Sequence, residues 1–280
     1  MVKMTRLAPA KINLCLHVLG KRKDGYHELA MLMQRVSLFD NISVELTATP
    51  GVRVRCEAVV LATGEENIAG RAAAMMLEQS GGGGGVDLVI EKHIPVAAGL
   101  GGGSSDAAAV MLALNEMLGA GLSKNRLMEL GVRLGADVPF FIFEETAWAT
   151  GIGERLKKVT GLPRIWYVLV NPGFSVSTSL VYRKLELTSP GEVARLPRFP
   201  GTIKELVSQL HNDLERVTLA EFPVVAEAKE LLVGLGAAGV LMSGSGPTVF
   251  GVFEKEAEAR SAEAAMSRIP GWKAFAVQPV

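Results

Sequence analysis

Apolar and polar positions along the chain change period several times, and each change predicts an element. Residues 5–19 mix small, β-branched and polar positions and predict a strand pair or one bent strand, closed by a turn over residues 20–25. Residues 32–46 alternate as a strand, with Asp40-Asn41 as a candidate turn. Residues 52–60 alternate again, with Val52, Val54 and Cys56 on one face. The alanine- and methionine-rich stretch 67–79 predicts a helix, the five glycines 81–85 a flexible surface loop, and 86–91 a strand. Helices are expected over 107–118 and, capped by Ser123, to about 134. A loop over 135–139 leads to short strands at 140–143 and 146–150, and the unbroken apolar run 165–170 reads as a buried strand. Residues 189–201 carry three prolines and two glycines and have no period. Helices follow at 203–209, 213–220, 224–235 and 255–268, and strands at 240–242, 248–253 and 273–277. The sum is an α+β chain without regular βα alternation and without internal repeats. Gly151, Gly153, Gly161 and Pro163 mark a domain boundary between 150 and 165.

Composition narrows the function classes. The 280 residues suit one large domain or two ordinary ones. Lys plus Arg and Asp plus Glu both number 29, so the net charge is zero. That argues against general nucleic-acid binding, while leaving room for a local basic pocket that holds one small anion. Cys15 and Cys56 are too few for a disulfide framework and lack zinc-ligand spacing, so a reducing cytoplasm is expected. The apolar stretch 12–19 is interrupted by Asn13 and His17, and no run reaches the ~18 residues of a membrane span. Membrane, secreted and disordered classes are therefore not expected. Glycine is the outlier, with 31 residues against an average near 7%.

Several nucleotide and hydrolase signatures are missing: the P-loop, the nucleophile elbow, HExxH and the protein-kinase set. A literal GxGxxG, Gly234 to Gly239, follows a helix and precedes a strand. That is the reverse of a dinucleotide fingerprint, so it reads as a helix end and a tight turn. The chemistry concentrates instead at Gly99, Leu100, Gly101, Gly102, Gly103, Ser104 and Ser105, which run into an apolar helix. Glycines let backbone N–H groups approach a ligand, and a helix start adds unpaired N–H groups and partial positive charge. Together they make a phosphate site; four glycines and two serines exceed what capping needs. Ser104 and Ser105 are placed either to cap the helix or to offer hydroxyls to phosphate or its metal. Lys92 lies just upstream. Asp106 suits the helix dipole but not a phosphate and is expected to point away from the ligand.

Pro95, Val96, Ala97 and Ala98 precede that loop, and the whole stretch 95–108 resembles the second motif of the GHMP kinases, the small-molecule kinases named after galactose, homoserine, mevalonate and phosphomevalonate enzymes. Residues 243–248 (Ser-Gly-Ser-Gly-Pro-Thr) are similar to the third motif, and 8–14 (Ala-Pro-Ala-Lys-Ile-Asn-Leu) to the first. The order of the three is right, and they span almost the whole chain. The segment 20–29 and the Gly-Ala-Asp-Val-Pro of 135–139 resemble the branch of the family whose acceptor is a cytidine-diphosphate polyol on the non-mevalonate route to isoprenoids.

That resemblance implies a two-domain α+β fold, with an N-terminal ATP-binding domain over 1–160 and a C-terminal ferredoxin-like α/β sandwich over 161–280. It implies ATP as cofactor, with Mg2+ carried on it and no protein ligand nameable. Asp137 falls on the catalytic base. Lys11 falls beside it, where it would keep the carboxylate ionised. Asn13 shares a strand face with Lys11 and would bond the polyol or diphosphate. Tyr26 and His27 correspond to residues that stack on cytosine and contact its edge; Tyr182 corresponds to a second aromatic across the base, with Thr178 nearby. Gly244 and Ser245 belong to a loop closing on the phosphates and acceptor. Asn67 and Lys92 match positions lining the adenosine pocket. Without the resemblance, Asp137 reads equally as a turn residue, Lys11 as a surface-seeking lysine and Tyr26-His27 as an ordinary loop pair. Two alternatives stay open: a family member acting on homoserine or a mevalonate derivative, against which Tyr26-His27 stands, and a catalytically dead binding protein, against which the intact Lys11 and Asp137 stand.

Overall fold

The computed structural model describes residues 2–57, 67–186 and 201–280. The chain forms two compact units: Met1–Ala10, Leu38–Val96 and Gly101–Glu144 make the first, and Lys11–Ser37, Ala97–Leu100 and Glu145–Val280 the second. Two long strands, β1 (Lys3–Lys21) and β2 (His27–Thr47), contribute residues to both. β1 is one strand, resolving the choice between a strand pair and a bent strand. β2 runs straight through Asp40-Asn41, where a turn was expected. Asp40 tolerates full burial there because its carboxylate accepts from the Lys92 ammonium and from the backbone N–H groups of His93 and Ile94.

The first unit continues with β3 (Gly51–Arg55), α1 (Ile68–Gln79), β4 (Gly85–Glu91), α2 (Gly102–Met117), α3 (Lys124–Val132) and α4 (Val138–Phe143). β4 lies parallel to β3 and antiparallel to residues 41–47 of β2. The expected strand over 52–60 ends at Arg55, and residues 58–60 fall outside the described residues. Helices α1 and α2 pack on each other, and Ala69, Ala72 and Ala73 of α1 and Ala107 and Ala108 of α2 are buried. The glycine run is an exposed loop over 81–83, as expected, and is fixed at its two ends. Gly82 N–H donates to Leu77 carbonyl at the end of α1, and Gly85 enters β4 with no room for a side chain against the Thr49 and Gly51 carbonyls. Residues 140–143 are a helix, not a strand. Pro139 sits in its first turn, and the run Phe140-Phe141-Ile142 is buried, so it carries no alternation to read. α4 packs on α2 and α3.

The second unit adds β5 (Ala147–Gly151), β6 (Arg155–Lys158), β7 (Trp166–Asn171), α5 (Thr178–Lys184), α6 (Ile203–Ser208), β8 (His211–Asn212), α7 (Glu215–Glu221), α8 (Pro223–Gly234), β9 (Gly239–Met242), β10 (Val249–Phe253), α9 (Glu256–Met266) and β11 (Lys273–Val277). β5 pairs antiparallel with β6 and with residues 29–33 of β2, and β8 pairs parallel with β1 at Cys15 and Leu16. The four-stranded antiparallel sheet has the order β11-β7-β10-β9, packed by α8 and α9. Strand, helix, two strands, helix, strand in that order is the ferredoxin-like arrangement expected for the C-terminal half. The apolar run predicted as buried is β7, flanked by a strand on each side. The expected aperiodic stretch 189–201 lies outside the described residues up to residue 200. Among the described residues no helix is long and apolar enough to cross a membrane.

Candidate active site

Helix α2 begins five residues earlier than its apolar period suggested. Gly102, Gly103 and Ser104 make its first turn, and Gly101 is the N-cap in a left-handed conformation, φ 71°. Ser104 and Ser105 are therefore inside the helix rather than capping it. A glycine cap brings no side chain to the first-turn N–H groups, and helix geometry gives those of Gly102, Gly103 and Ser104 no carbonyl four residues back. The Ser105 hydroxyl is buried without a hydrogen-bond partner. A helix start left this way is suited to an anion.

Behind it, in the same unit, Lys92 and Asp106 form a buried group with Asp40. Lys92 Nζ donates to Asp106 at 2.7 Å and also to Asp40, and a side chain on Gly102 would stand 3.1 Å from that nitrogen. Burial alone would lower the Lys92 pKa, but the carboxylates of Asp106 and Asp40 outweigh it and hold it above its ordinary value. Burial, only partly offset by Lys92, pushes the Asp106 carboxyl up to about 7. Asn67 caps α1, its side-chain oxygen accepting from Ala69 N–H at 2.9 Å. Asp137 is the N-cap of α4, half-buried, with its side chain making no cap bond.

In the second unit, residues 97–100 interlock with the turn between β9 and β10. Gly99 has φ 78°, and a side chain there would reach within 2.1 Å of the Ser243 carbonyl. Ser243 Oγ donates to Gly99 carbonyl at 3.0 Å, and Thr248 N–H donates to Ala98 carbonyl. Ala97 takes a left-handed φ of 50°, uncommon for a residue with a side chain, with its carbonyl held by Val176 N–H. Lys11 N–H donates to Leu100 carbonyl. The buried Lys11 Nζ donates to Asn13 Oδ1 at 2.6 Å, and a side chain on Gly244 would stand 3.4 Å from that Nζ. The hydroxyls of Thr178 and Ser245 are 2.8 Å apart. The structure thus gathers Lys11, Asn13, Gly99, Ser243 and Gly244 in one cluster and joins Thr178 to Ser245.

The aromatic residues expected around a base are also in this unit. His27 and Tyr182 stack on each other, with centroids 4.8 Å apart and 27° between planes, and Tyr26 is exposed. Burial lowers the His27 pKa, with help from Lys21, which favours the neutral ring.

Two supporting residues carry little sequence signal. Asn212 is buried and donates to the carbonyls of Met242 and Gly244, both at 2.8 Å, while accepting from Leu214 N–H. Nothing in His-Asn-Asp marks that role. Asp40 stands next to Asn41 in the alternating run 32–46, a pair whose local signal is that of a turn.

The family model for "GHMP kinases N terminal domain" matches residues 67–145 and that for "GHMP kinases C terminal" residues 196–270. The chain is 61% identical over 274 residues to "4-diphosphocytidyl-2-C-methyl-D-erythritol kinase" of Syntrophotalea carbinolica, covering 98% of each. A crystal structure of 4-(cytidine 5'-diphospho)-2C-methyl-D-erythritol kinase superposes with TM-score 0.82 at 41% identity, covering 99% of both chains. Homoserine kinase from Cytophaga hutchinsonii shares the fold, with TM-score 0.74 at 18% identity over 99% of this chain and 95% of that one. The chain belongs to the GHMP kinases, and within them to the family of 4-diphosphocytidyl-2-C-methyl-D-erythritol kinases.

Proposed function

We propose that the protein transfers the γ-phosphoryl group of ATP to the 2-hydroxyl of 4-diphosphocytidyl-2-C-methyl-D-erythritol, in the non-mevalonate supply of isoprenoid precursors. The observation that carries the acceptor's identity is the aromatic set Tyr26, His27 and Tyr182. Its stacked pair and exposed ring suit a nucleobase and have no use with homoserine or mevalonate. Asn13, Thr178, Gly244 and Ser245 serve the polyol and diphosphate. The start of α2, approached through residues 95–101, takes the ATP phosphates, and Asn67 and Lys92 line the adenosine side. The family models over 67–145 and 196–270 support a nucleotide domain within 1–160 and a second domain within 161–280, with Asn13, Tyr26 and His27 of the N-terminal half serving the acceptor.

Phosphoryl transfer needs a positioned hydroxyl, a route for its proton and neutralised phosphate charge. Asp137 takes the part of base for the acceptor hydroxyl, and Lys11 that of the cation that lowers the cost of removing its proton. Mg2+ arriving on ATP supplies charge neutralisation, and the Ser104 and Ser105 hydroxyls are the oxygens the loop offers to it or to phosphate. A small-molecule metabolic role of this kind fits a cytoplasmic location.

The test is ATP consumption against a panel containing 4-diphosphocytidyl-2-C-methyl-D-erythritol, homoserine and mevalonate, with the product's phosphorus position read by NMR. Turnover of the cytidylyl compound alone, phosphorylated at the 2-hydroxyl and inhibited by free CMP, is expected. Turnover of homoserine or mevalonate in its place overturns the reading.

A further inference from the structure

One cluster of metal-ligating side chains takes no part in the proposed reaction. His17 on β1 and His211 on β8 stack face to face, with centroids 4.5 Å apart and 15° between planes. Asp213 follows β8, with Oδ1 2.7 Å from His211 Nε2. The ligand atoms of all three lie within 4.8 Å of one another. We propose that His17, His211 and Asp213 form a binding site for a divalent transition-metal ion of the zinc class.

Three features support it. First, two imidazoles and one carboxylate are the donor set that zinc, cobalt and nickel prefer over magnesium or calcium, and three protein ligands leave a position open for water. Second, the backbone preorganises the set. β8 pairs parallel with β1 at Cys15↔His211 and Leu16↔Asn212, Asp213 N–H donates to Leu16 carbonyl, and Asp213 Oδ2 accepts from Val18 N–H at 2.7 Å. That last bond leaves Oδ1 to face the rings, as an outer hydrogen bond does for a metal-bound carboxylate. Third, the site is open to solvent: the His211 side chain is 49% exposed and that of Asp213 31%. Ligands of a tetrahedral ion at ~2.0–2.1 Å stand about 3.3 Å apart, so an ion would draw the three side chains closer and turn the stacked rings until both in-plane lone pairs meet at it.

The experiment uses full-length protein, stripped with chelator and held in excess Mg2+ so that hard-cation sites are filled. It is titrated with Zn2+ by calorimetry and with Co2+ by absorption. Expected are one Zn2+ per chain, a rise in melting temperature with Zn2+, and visible Co2+ bands with no near-ultraviolet thiolate charge transfer. His17→Gln and His211→Gln should each weaken Zn2+ binding by about tenfold or more, with unchanged circular dichroism. Cys15→Ser should leave binding intact. The proposal falls if the wild type takes up no Zn2+ at a hundredfold excess, if both histidine variants bind as tightly as wild type, or if the Co2+ spectrum shows thiolate ligation. The Co2+ spectrum is read on the wild type, so it decides even if a variant fails to fold.

Discussion

A carboxylate with no exposed surface needs its hydrogen bonds supplied by the protein, and Asp40 receives them from Lys92 and from two backbone N–H groups. Its neighbour Asp106 is less well supplied, since one of its oxygens is buried without a partner. With its pKa raised from 3.8 to about 7, folded Asp106 holds a proton that the unfolded chain has released between those two values. Stability rises with pH where the unfolded state binds more protons; here the folded state does, so this group's contribution falls as pH climbs from about 4 through 7. Asp106→Asn should remove that slope. Denaturant melts at several pH values should show the wild type losing stability relative to the variant over this window, by at most about 1.4 kcal/mol per pH unit. A constant difference would show that Asp106 does not titrate there. For Asp137 the expectation is kinetic: Asp137→Asn should cut turnover about 10²–10⁴-fold while ATP affinity stays near wild type. Turnover near normal would remove it from the reaction.

At the scale of elements, the start of α2 and the turn between β9 and β10 each test a different reading. Gly101 sits at φ 71°, where a β-branched residue is strained, beside N–H groups proposed to face phosphate. Gly101→Val should abolish ATP binding by calorimetry while circular dichroism stays native; unchanged affinity would make the loop an ordinary turn. Asn212→Ala leaves the buried Met242 and Gly244 carbonyls without their donor, a loss of about 1–3 kcal/mol in a denaturant melt. A stability change below about 0.5 kcal/mol would mean that the turn holds itself. Strand periods and the glycine motifs were legible because they are local: β7, α1 and α8 follow from runs of neighbouring residues. What stayed hidden depends on distant partners. Residues 140–143 became a helix through packing on α2 and α3, Asp40 stayed in a strand because Lys92 reaches it, and Asn212 acquired its role from carbonyls about 30 residues away.

The whole molecule departs furthest from a linear reading, because the second unit collects residues 11–37 and 97–100 along with everything after 144. Within it, the fully buried Tyr167 donates its hydroxyl to Gln34 Oε1 at 2.6 Å, Asn13 N–H reaches Ser243 Oγ, and Ser37 N–H donates to Gln278 carbonyl. A fragment of residues 161–280 retains its four-stranded sheet but strands each of those groups. It should unfold without a cooperative transition when expressed alone and regain one when co-expressed with 1–160; a cooperative melt of the isolated fragment would refute this. The bond from Ser243 Oγ to the Gly99 carbonyl spans 144 positions. At a synthesis rate of ~5–20 residues per second, Gly99 leaves the ribosome's catalytic centre roughly 7–30 seconds before its brace exists. A chain that stops before Ser243 keeps the Lys11 bond to Leu100 but lacks the brace on Gly99, so the loop proposed to take phosphate is completed only late in synthesis.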